Sequence, residues 1–286
     1  AYYADLTSYP ANRAVRLMNP LSSDLSVMRQ TLLFGGLETI AYNANRKRGN
    51  LRLFEQGNCY SFDADRHVED KALSGYAEAE HLALWVTGNR VEGSWAHANE
   101  ESTVYELKAY VMNIFARIGL NMAAFVVEPG TSDIFGKSLV IKDRNGKVCA
   151  EWGLVKKAIT LQLGINQPVY FAELNWTELM KKTKKLNVLY KELSKFPAVS
   201  RDLALLVDKN VEFAAIERAA YQAEKKLLKR VELFDVYEGK NLEPGKKSYA
   251  VNFTLQDEQK TMSDKQTDIM QKIIKTLQNQ VGAQLR

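Results

Sequence analysis

Five polar residues late in this 286-residue chain have the types that read single-stranded nucleic acid. Asp235 and Tyr237 stand two apart in the run Val231-Glu232-Leu233-Phe234-Asp235-Val236-Tyr237. Alternate positions of a strand share a face, so Leu233, Asp235 and Tyr237 are expected on one side. Phe234 and Val236 are expected on the other, against packing helices. In the next apolar run Ser248, Ala250, Asn252 and Thr254 alternate with Tyr249, Val251, Phe253 and Leu255, giving one polar and one apolar face. A ring on which bases stack, beside a carboxylate that accepts from base edges, suits single-strand recognition. Lys246 and Lys247 follow Gly245 and are candidates for backbone phosphate. Arg201 is a further candidate, or a partner for Asp202. The plainer alternatives are a strand-end hydrogen-bonding role for Asp235 and a solvated loop for the two lysines.

The elements that must position these residues are legible. Residues 203–207 and 231–237 are short apolar runs that read as strands, and 249–255 alternates. Residues 212–229 carry Phe213, Ile216, Ala220, Ala223, Leu227 and Leu228 at helical spacing. Ser263 with Gln266 has the form of a capping box. The helix it opens carries Ile269, Ile273, Ile274 and Leu277, and Gly282 is placed to end it. The order predicts a ferredoxin-like βαββαβ domain, with helices on one sheet face and the other face open. Such a fold hosts many functions, so the residues must carry the functional argument.

Upstream, residues 24–48 read as a helix, with Gly35-Gly36 as a candidate break. Its stripe of Leu25, Met28, Leu32, Leu33, Leu37 and Ile40 suits either a core or a partner interface. Arg46, Lys47 and Arg48 close it, where cations suit the dipole. Residues 51–54 and 59–62 read as paired strands about Gly57, and 81–88 as another strand. Residues 103–119 form an amphipathic helix with a Thr103/Glu106 capping box. Residues 139–141 and 148–150 flank Asn145-Gly146, a hairpin signal. A last strand at 169–174 precedes a short helix from Thr177. Several antiparallel strands with a few helices predict an α+β domain.

Arg29 and Glu55 are the only candidates here for adenylate chemistry, which needs cations on the transferring phosphate. The stretch Val169-Tyr170-Phe171-Ala172-Glu173-Leu174-Asn175-Trp176 has neither a glycine run nor an arginine. No P-loop, G-x-S-x-G or G-x-G-x-x-G is present. Independent catalysis is therefore not expected. Glu55 reads as a hydrogen-bonding strand residue, and Arg29 as the partner of a carboxylate or of another subunit. Cys59 and Cys149, with His67, His81 and His97, show no zinc-like spacing, so no metal site is expected. Two distant cysteines predict free thiols in a reducing compartment. No apolar run approaches the ~20 residues of a membrane span, and the N-terminus does not read as a signal peptide.

Net charge is +5 and unevenly placed. Residues 1–180 hold 18 Lys/Arg and 20 Asp/Glu, 181–196 hold six and one, and 197–286 hold 15 and 13. The excess thus lies in a cationic connector at 181–195, between a first domain at 1–180 and a second at 196–286. Such a run attracts phosphates without sequence preference, or is simply a solvated linker.

The stretches FPAVSRDLALLV, VELFDVYEG, PGKKSYAVNFTLQ and TMSDKQ, with a terminal LR, closely resemble the anticodon-binding domain of the phenylalanyl-tRNA synthetase beta subunit family. Met18-Asn19-Pro20-Leu21-Ser22-Ser23-Asp24, Met28-Arg29-Gln30-Thr31-Leu32-Leu33 and Leu53-Phe54-Glu55-Gln56-Gly57 resemble the same family's catalytic-like module. The resemblance implies a class II synthetase-like antiparallel sheet without catalytic residues, then a ferredoxin-like domain. It implies an alpha-subunit partner in an alpha2beta2 assembly, a tRNA(Phe) ligand whose anticodon guanine a carboxylate suits, and cytoplasmic localisation, with no DNA or membrane partner. ATP and Mg2+ are implied for the holoenzyme and no cofactor for this part. It places the helical stretch with Leu25, Met28, Arg29, Leu32, Leu33 and Leu37 at the subunit interface, and makes Arg201, Asp235, Tyr237, Lys246 and Lys247, chosen from the residue pattern above, the candidates for tRNA binding. Because Ala1 is not an initiator Met, and the family carries an editing domain upstream, the chain reads as a fragment. The competing reading is a regulatory or amino-acid-sensing protein that joins a class II-like domain to a ferredoxin-like ligand-binding domain.

Overall fold

The computed structural model describes residues 2–3, 6–22, 25–184, 186, 190, 192–239, 242–262 and 265–286. The chain forms two compact units, residues 1–188 and 189–286.

The first unit is built on a six-stranded antiparallel sheet. Its strands are β1 (Leu51–Phe62), β2 (Tyr76–Thr87), β5 (Phe125–Pro129), β6 (Phe135–Asp143), β7 (Val148–Val155) and β8 (Val169–Asn175), in the spatial order β1-β2-β8-β7-β6-β5. A short ribbon, β3 (Asn89–Val91) with β4 (Glu100–Glu101), stands apart from it. The expected pair of strands around Gly57 is instead one continuous β1, registered residue for residue along β2. Glycine does not break it, because Gly57 stays in the ladder opposite His81.

Helices cover both faces. On one, α1 (Leu33–Ala44) packs Leu33, Leu37 and Ile40 against Trp85, Ala83 and Phe171. On the other, α2 (Val104–Arg117) and α4 (Trp176–Thr183) pack Leu107, Val111, Phe115 and Leu179 against Val86, Trp152, Ala172 and Leu174. A short α3 (Lys157–Gln162) links β7 to β8.

The expected helix at 24–48 is shorter than the apolar pattern suggested. Asp24 lies outside the described residues. The described residues 15–22 and 25–28 form a looped arm instead, closed by an antiparallel Arg16–Val27 bridge, with Met28 N donating to Val15 O at 2.8 Å and Leu17 N to Ser26 O at 2.9 Å. Gly35-Gly36 does not break α1 either. A Cβ on Gly36 would lie 2.1 Å from the Trp85 indole, so glycine is what lets that ring lie on the helix. Half of the expected capping box forms: Thr103 accepts from Glu106 N at 3.4 Å, while the Glu106 carboxylate turns to Arg52 Nε at 3.0 Å.

The second unit runs β9 (Val199–Asp208), α5 (Phe213–Ala223), β10 (Leu228–Tyr237), β11 (Lys246–Leu255), α6 (Lys265–Val281) and β12 (Gln284–Leu285). This is the expected βαββαβ order. The four strands lie in the order β10-β11-β9-β12, all antiparallel. Ile216, Ala220, Ile273 and Leu277 of the helices pack on Leu205, Val207, Val251 and Phe253. Ser263, the expected cap of α6, lies outside the described residues.

Candidate functional site

The open sheet face of the second unit is set by pairing register. Asp235 pairs with Ala250 and Tyr237 with Ser248, and across β11 Asn252 pairs with Asp202 and Thr254 with Ser200. Directly paired residues share a face, so Asp235, Tyr237, Asn252 and Asp202 are together on the side away from the helices. Asn252 Nδ2 donates to Asp202 Oδ1 at 2.6 Å. Arg286 places its guanidinium carbon 5.5 Å from the Tyr237 ring centroid.

The route to this arrangement differs from simple alternation. The register shifts between Leu233 and Asp235, leaving Phe234 as an extra residue. Leu233 therefore packs on the core rather than facing outward, and Phe234 is 60% exposed rather than buried. A bulge of this kind reverses the sidedness of everything after it, and so restores Asp235 and Tyr237 to the open face. Val236 has the helix-side register opposite Tyr249, yet is 46% exposed.

The expected phosphate ligands do not join them. Lys247 is only 9% exposed, and its Nζ lies 4.7 Å from the Tyr249 ring centroid. Tyr249 in turn meets Phe213 at the start of α5 edge-on, so Lys247 belongs to the helix side. Lys246 Nζ is held by Asp208 Oδ1 at 2.8 Å, and this contact raises the lysine pKa. Arg201 donates to Gln266 Oε1 at 2.9 Å and to Ser200 O at 2.9 Å, not to Asp202. The open face thus offers an aromatic ring and carboxylates, suited to base edges more than to phosphates. Of the connector lysines, Lys181 is held by Glu178 at 2.7 Å and Lys182 by Asp143 at 2.5 Å. Lys185 and Lys191 lie outside the described residues.

In the first unit the expected apolar stripe divides. Leu32, Leu33 and Leu37 are 1%, 0% and 0% exposed in the core, which removes them as surface contacts. Periodicity marked an apolar side, and that side meets the chain's own sheet. Leu25 remains exposed and Met28 half-buried, on the arm that also carries Met18 and Leu21, each 96% exposed. A groove of about 690 Å³ is lined by Leu17, Leu21, Leu25, Met28, Arg29 and Tyr60 among others. No helical or strand period runs through Met18 and Leu21, so the sequence pattern does not single them out as contact residues.

Arg29 Nη1 meets Glu55 Oε1 at 2.5 Å and Arg29 Nε meets Asn58 O at 2.9 Å, so its charge is engaged within the chain. It lies over Gly57, where a Cβ would come within 2.1 Å of the guanidinium. Beyond it on the same sheet face stand Cys59, His81 and Glu173, whose ligand-type atoms all lie within 4.8 Å of one another. Burial, and next the Glu173 charge, push the Cys59 thiol pKa up. The same two causes hold Tyr9 well above the usual phenol range. Spacing along the chain hid this cluster.

Residues 1–176 match the family described as the phenylalanyl tRNA synthetase beta chain CLM domain, and residues 194–286 the ferredoxin-fold anticodon binding domain. Among similar curated proteins, the phenylalanine–tRNA ligase beta subunit of Bacteroides thetaiotaomicron is 58% identical over 100% of this chain and 35% of its own length. That of Bacteroides fragilis is 57% identical and that of Porphyromonas gingivalis 49%, each over 100% of this chain and 35% of its own length. A solved pyrrolysyl-tRNA synthetase from Desulfitobacterium hafniense has a TM-score of 0.43 at 14% identity, over 60% of this chain and 53% of its own, a likeness too weak to bear on the fold. The chain spans about a third of the length of the curated relatives it matches. The chain belongs to the phenylalanyl-tRNA synthetase beta chain family.

Proposed function

We propose that this chain serves a phenylalanine–tRNA ligase as part of its beta subunit: the second unit binds the tRNA(Phe) anticodon, and the first docks a catalytic alpha subunit without activating phenylalanine itself. The observation that carries the RNA assignment is the open face bearing Asp235, Tyr237, Asn252 and Asp202, with the opposite face sealed by α5 and α6. A flipped-out base stacks on Tyr237, and a carboxylate accepts from its Watson–Crick edge. With Lys246 and Lys247 engaged elsewhere, base contacts outweigh phosphate contacts on this face. The alpha subunit covers the arm with Met18, Leu21 and Leu25, since so exposed an apolar surface favours a partner. ATP and Mg2+ belong to the alpha subunit's site. In this chain Arg29 is held by Glu55, and the β8 stretch offers no arginine to a triphosphate. No helix among the described residues is long and apolar enough to cross a membrane.

Co-purification with a phenylalanyl-tRNA synthetase alpha subunit, followed by titration with tRNA(Phe), phenylalanine and ATP, tests the reading. It expects a complex with alpha and binding of tRNA by this chain alone. Saturable binding of phenylalanine or ATP to the isolated chain, without tRNA binding, would favour an amino-acid sensor instead.

A further inference from the structure

We infer that Cys59, His81 and Glu173 form a binding site for one divalent transition-metal ion of the zinc class, a role separate from tRNA and alpha-subunit binding. Three adjacent strands supply the ligands. Cys59 is on β1, His81 on β2 and Glu173 on β8, with Gly57 paired to His81, Cys59 to Ala79 and Glu173 to Ala83. That register puts all three on one face, with Cys59 and Glu173 each a diagonal neighbour of the central His81. Glu173 Oε1 lies 3.3 Å from His81 Nδ1 and 3.9 Å from Cys59 Sγ. Ligands of a tetrahedral ion bound at about 2.0–2.3 Å are separated by roughly 3.3–3.8 Å, so small side-chain adjustments close the site.

Two further features point to a cation. His81 Nδ1 is fully buried and makes no hydrogen bond, although Glu173 Oε1 is within reach, so the contact is close in distance but not aligned. Glu173 is itself largely buried, and its ion-pair contact among the described residues is with that histidine alone. A buried carboxylate without a permanent cation is costly. A divalent ion with one thiolate, one carboxylate and a neutral imidazole sums to zero charge. Binding the ion displaces the Cys59 thiol proton to solvent and forms the metal–sulfur bond.

The surroundings suit the role. Glu173 Oε1 also accepts from Leu32 N at 2.9 Å, and Oε2 from Thr31 Oγ1 at 2.8 Å and Tyr9 OH at 3.3 Å. Such outer contacts fix a ligand carboxylate in place. A cavity of about 210 Å³ adjoins the cluster, with Tyr9, Glu151 and Asn175 in its wall, and leaves room for water in a fourth position. A thiolate and an imidazole select zinc-like ions over Mg2+ or Ca2+.

Titration of the chelator-treated chain with Co2+ under reducing conditions is decisive. The expected result is one equivalent bound, a near-ultraviolet thiolate-to-cobalt absorption band, displacement by Zn2+ and no response to Mg2+. Cys59→Ser should abolish the band and Cys149→Ser should keep it. Thr31→Val, which leaves every ligand in place, should weaken affinity by about 10–100-fold. Should Cys59→Ser fail to fold, the unmodified chain and Cys149→Ser still decide. No thiolate band at saturating Co2+, or a band that disappears in Cys149→Ser, overturns the site.

Discussion

The guanidinium of Arg286 lies over the ring of Tyr237, 5.5 Å from its centroid. The backbone N–H of Arg286 donates to Ala204 O on β9, whereas Tyr237 is on β10, so the side chain reaches past β11 to make the contact. The ring thus faces a cation, and Gly239 lies close against its hydroxyl end, where an added Cβ would come within 2.1 Å of the Tyr237 oxygen.

From this follows a contrast within the open face. Tyr237→Ala should weaken binding of tRNA(Phe) by about 1–3 kcal/mol, the scale of one base–aromatic stack. Tyr237→Phe should retain most of it. Asp235→Ala should lose about 1–3 kcal/mol for the cognate anticodon and much less for a tRNA with a substituted anticodon base, by analogy with bidentate base readout. Equilibrium binding with both tRNAs, and aminoacylation by the enzyme assembled with its alpha subunit, measure the two effects. Equal losses on both tRNAs would remove Asp235 as a base reader.

Lys247 is expected to act in folding. Its ammonium sits over Tyr249 with 9% of the residue exposed, so Lys247→Ala should cost about 1 kcal/mol of stability through lost packing and cation–π contact. The dependence of tRNA affinity on salt should stay unchanged, because no phosphate contact is lost. Denaturant unfolding and binding at several salt concentrations check the two halves. A flattened salt slope would return Lys247 to the RNA interface.

Asp133 gives a pH dependence. Burial alone would raise its pKa, but hydrogen bonds from Ser8 and from Thr7 outweigh burial and hold it at about 2. Thr7 N donates to Asp133 Oδ2 at 2.6 Å and Ser8 N to Oδ1 at 3.2 Å, so the carboxylate ties down residues 7 and 8. The native pKa lies below the ordinary value near 3.9. The contribution is therefore complete above about pH 4 and disappears as pH falls through about 2. Asp133→Asn should lower stability at neutral pH and flatten its decline between about pH 4 and pH 2. Thermal unfolding across that range is the measurement.

Gly36→Ala should destabilise the first unit despite the better helix propensity of alanine. The added Cβ would fall 2.1 Å from Trp85, whose indole N–H also donates to Leu33 O at 3.3 Å. Overpacking of this kind costs about 1–3 kcal/mol. Gly35→Ala, whose Cβ would meet only Glu55 Oε2 at 3.8 Å, should be far milder. Urea unfolding of the two variants checks the difference.

The sequence by itself determined the elements whose signals are local. The alternation at 249–255, most of the helical spacing read at 212–229 and the Thr103 cap each lie within a few residues, and backbone sterics with nearest-neighbour hydrogen bonds are enough to specify them; that helix stops at Ala223, and Leu228 begins β10. It also carried the family through several separated motifs. Tertiary structure alone decided three matters. The register shift at Phe234 depends on β11 pairing, so alternation along β10 assigned Leu233 and Phe234 to the wrong faces. Leu32, Leu33 and Leu37 are apolar whatever they meet, and only packing on Trp85 and Phe171 made that side core rather than interface. Cys59, His81 and Glu173 are distant along the chain and become neighbours because β1, β2 and β8 are adjacent in the sheet, a long-range pairing that no spacing rule encodes.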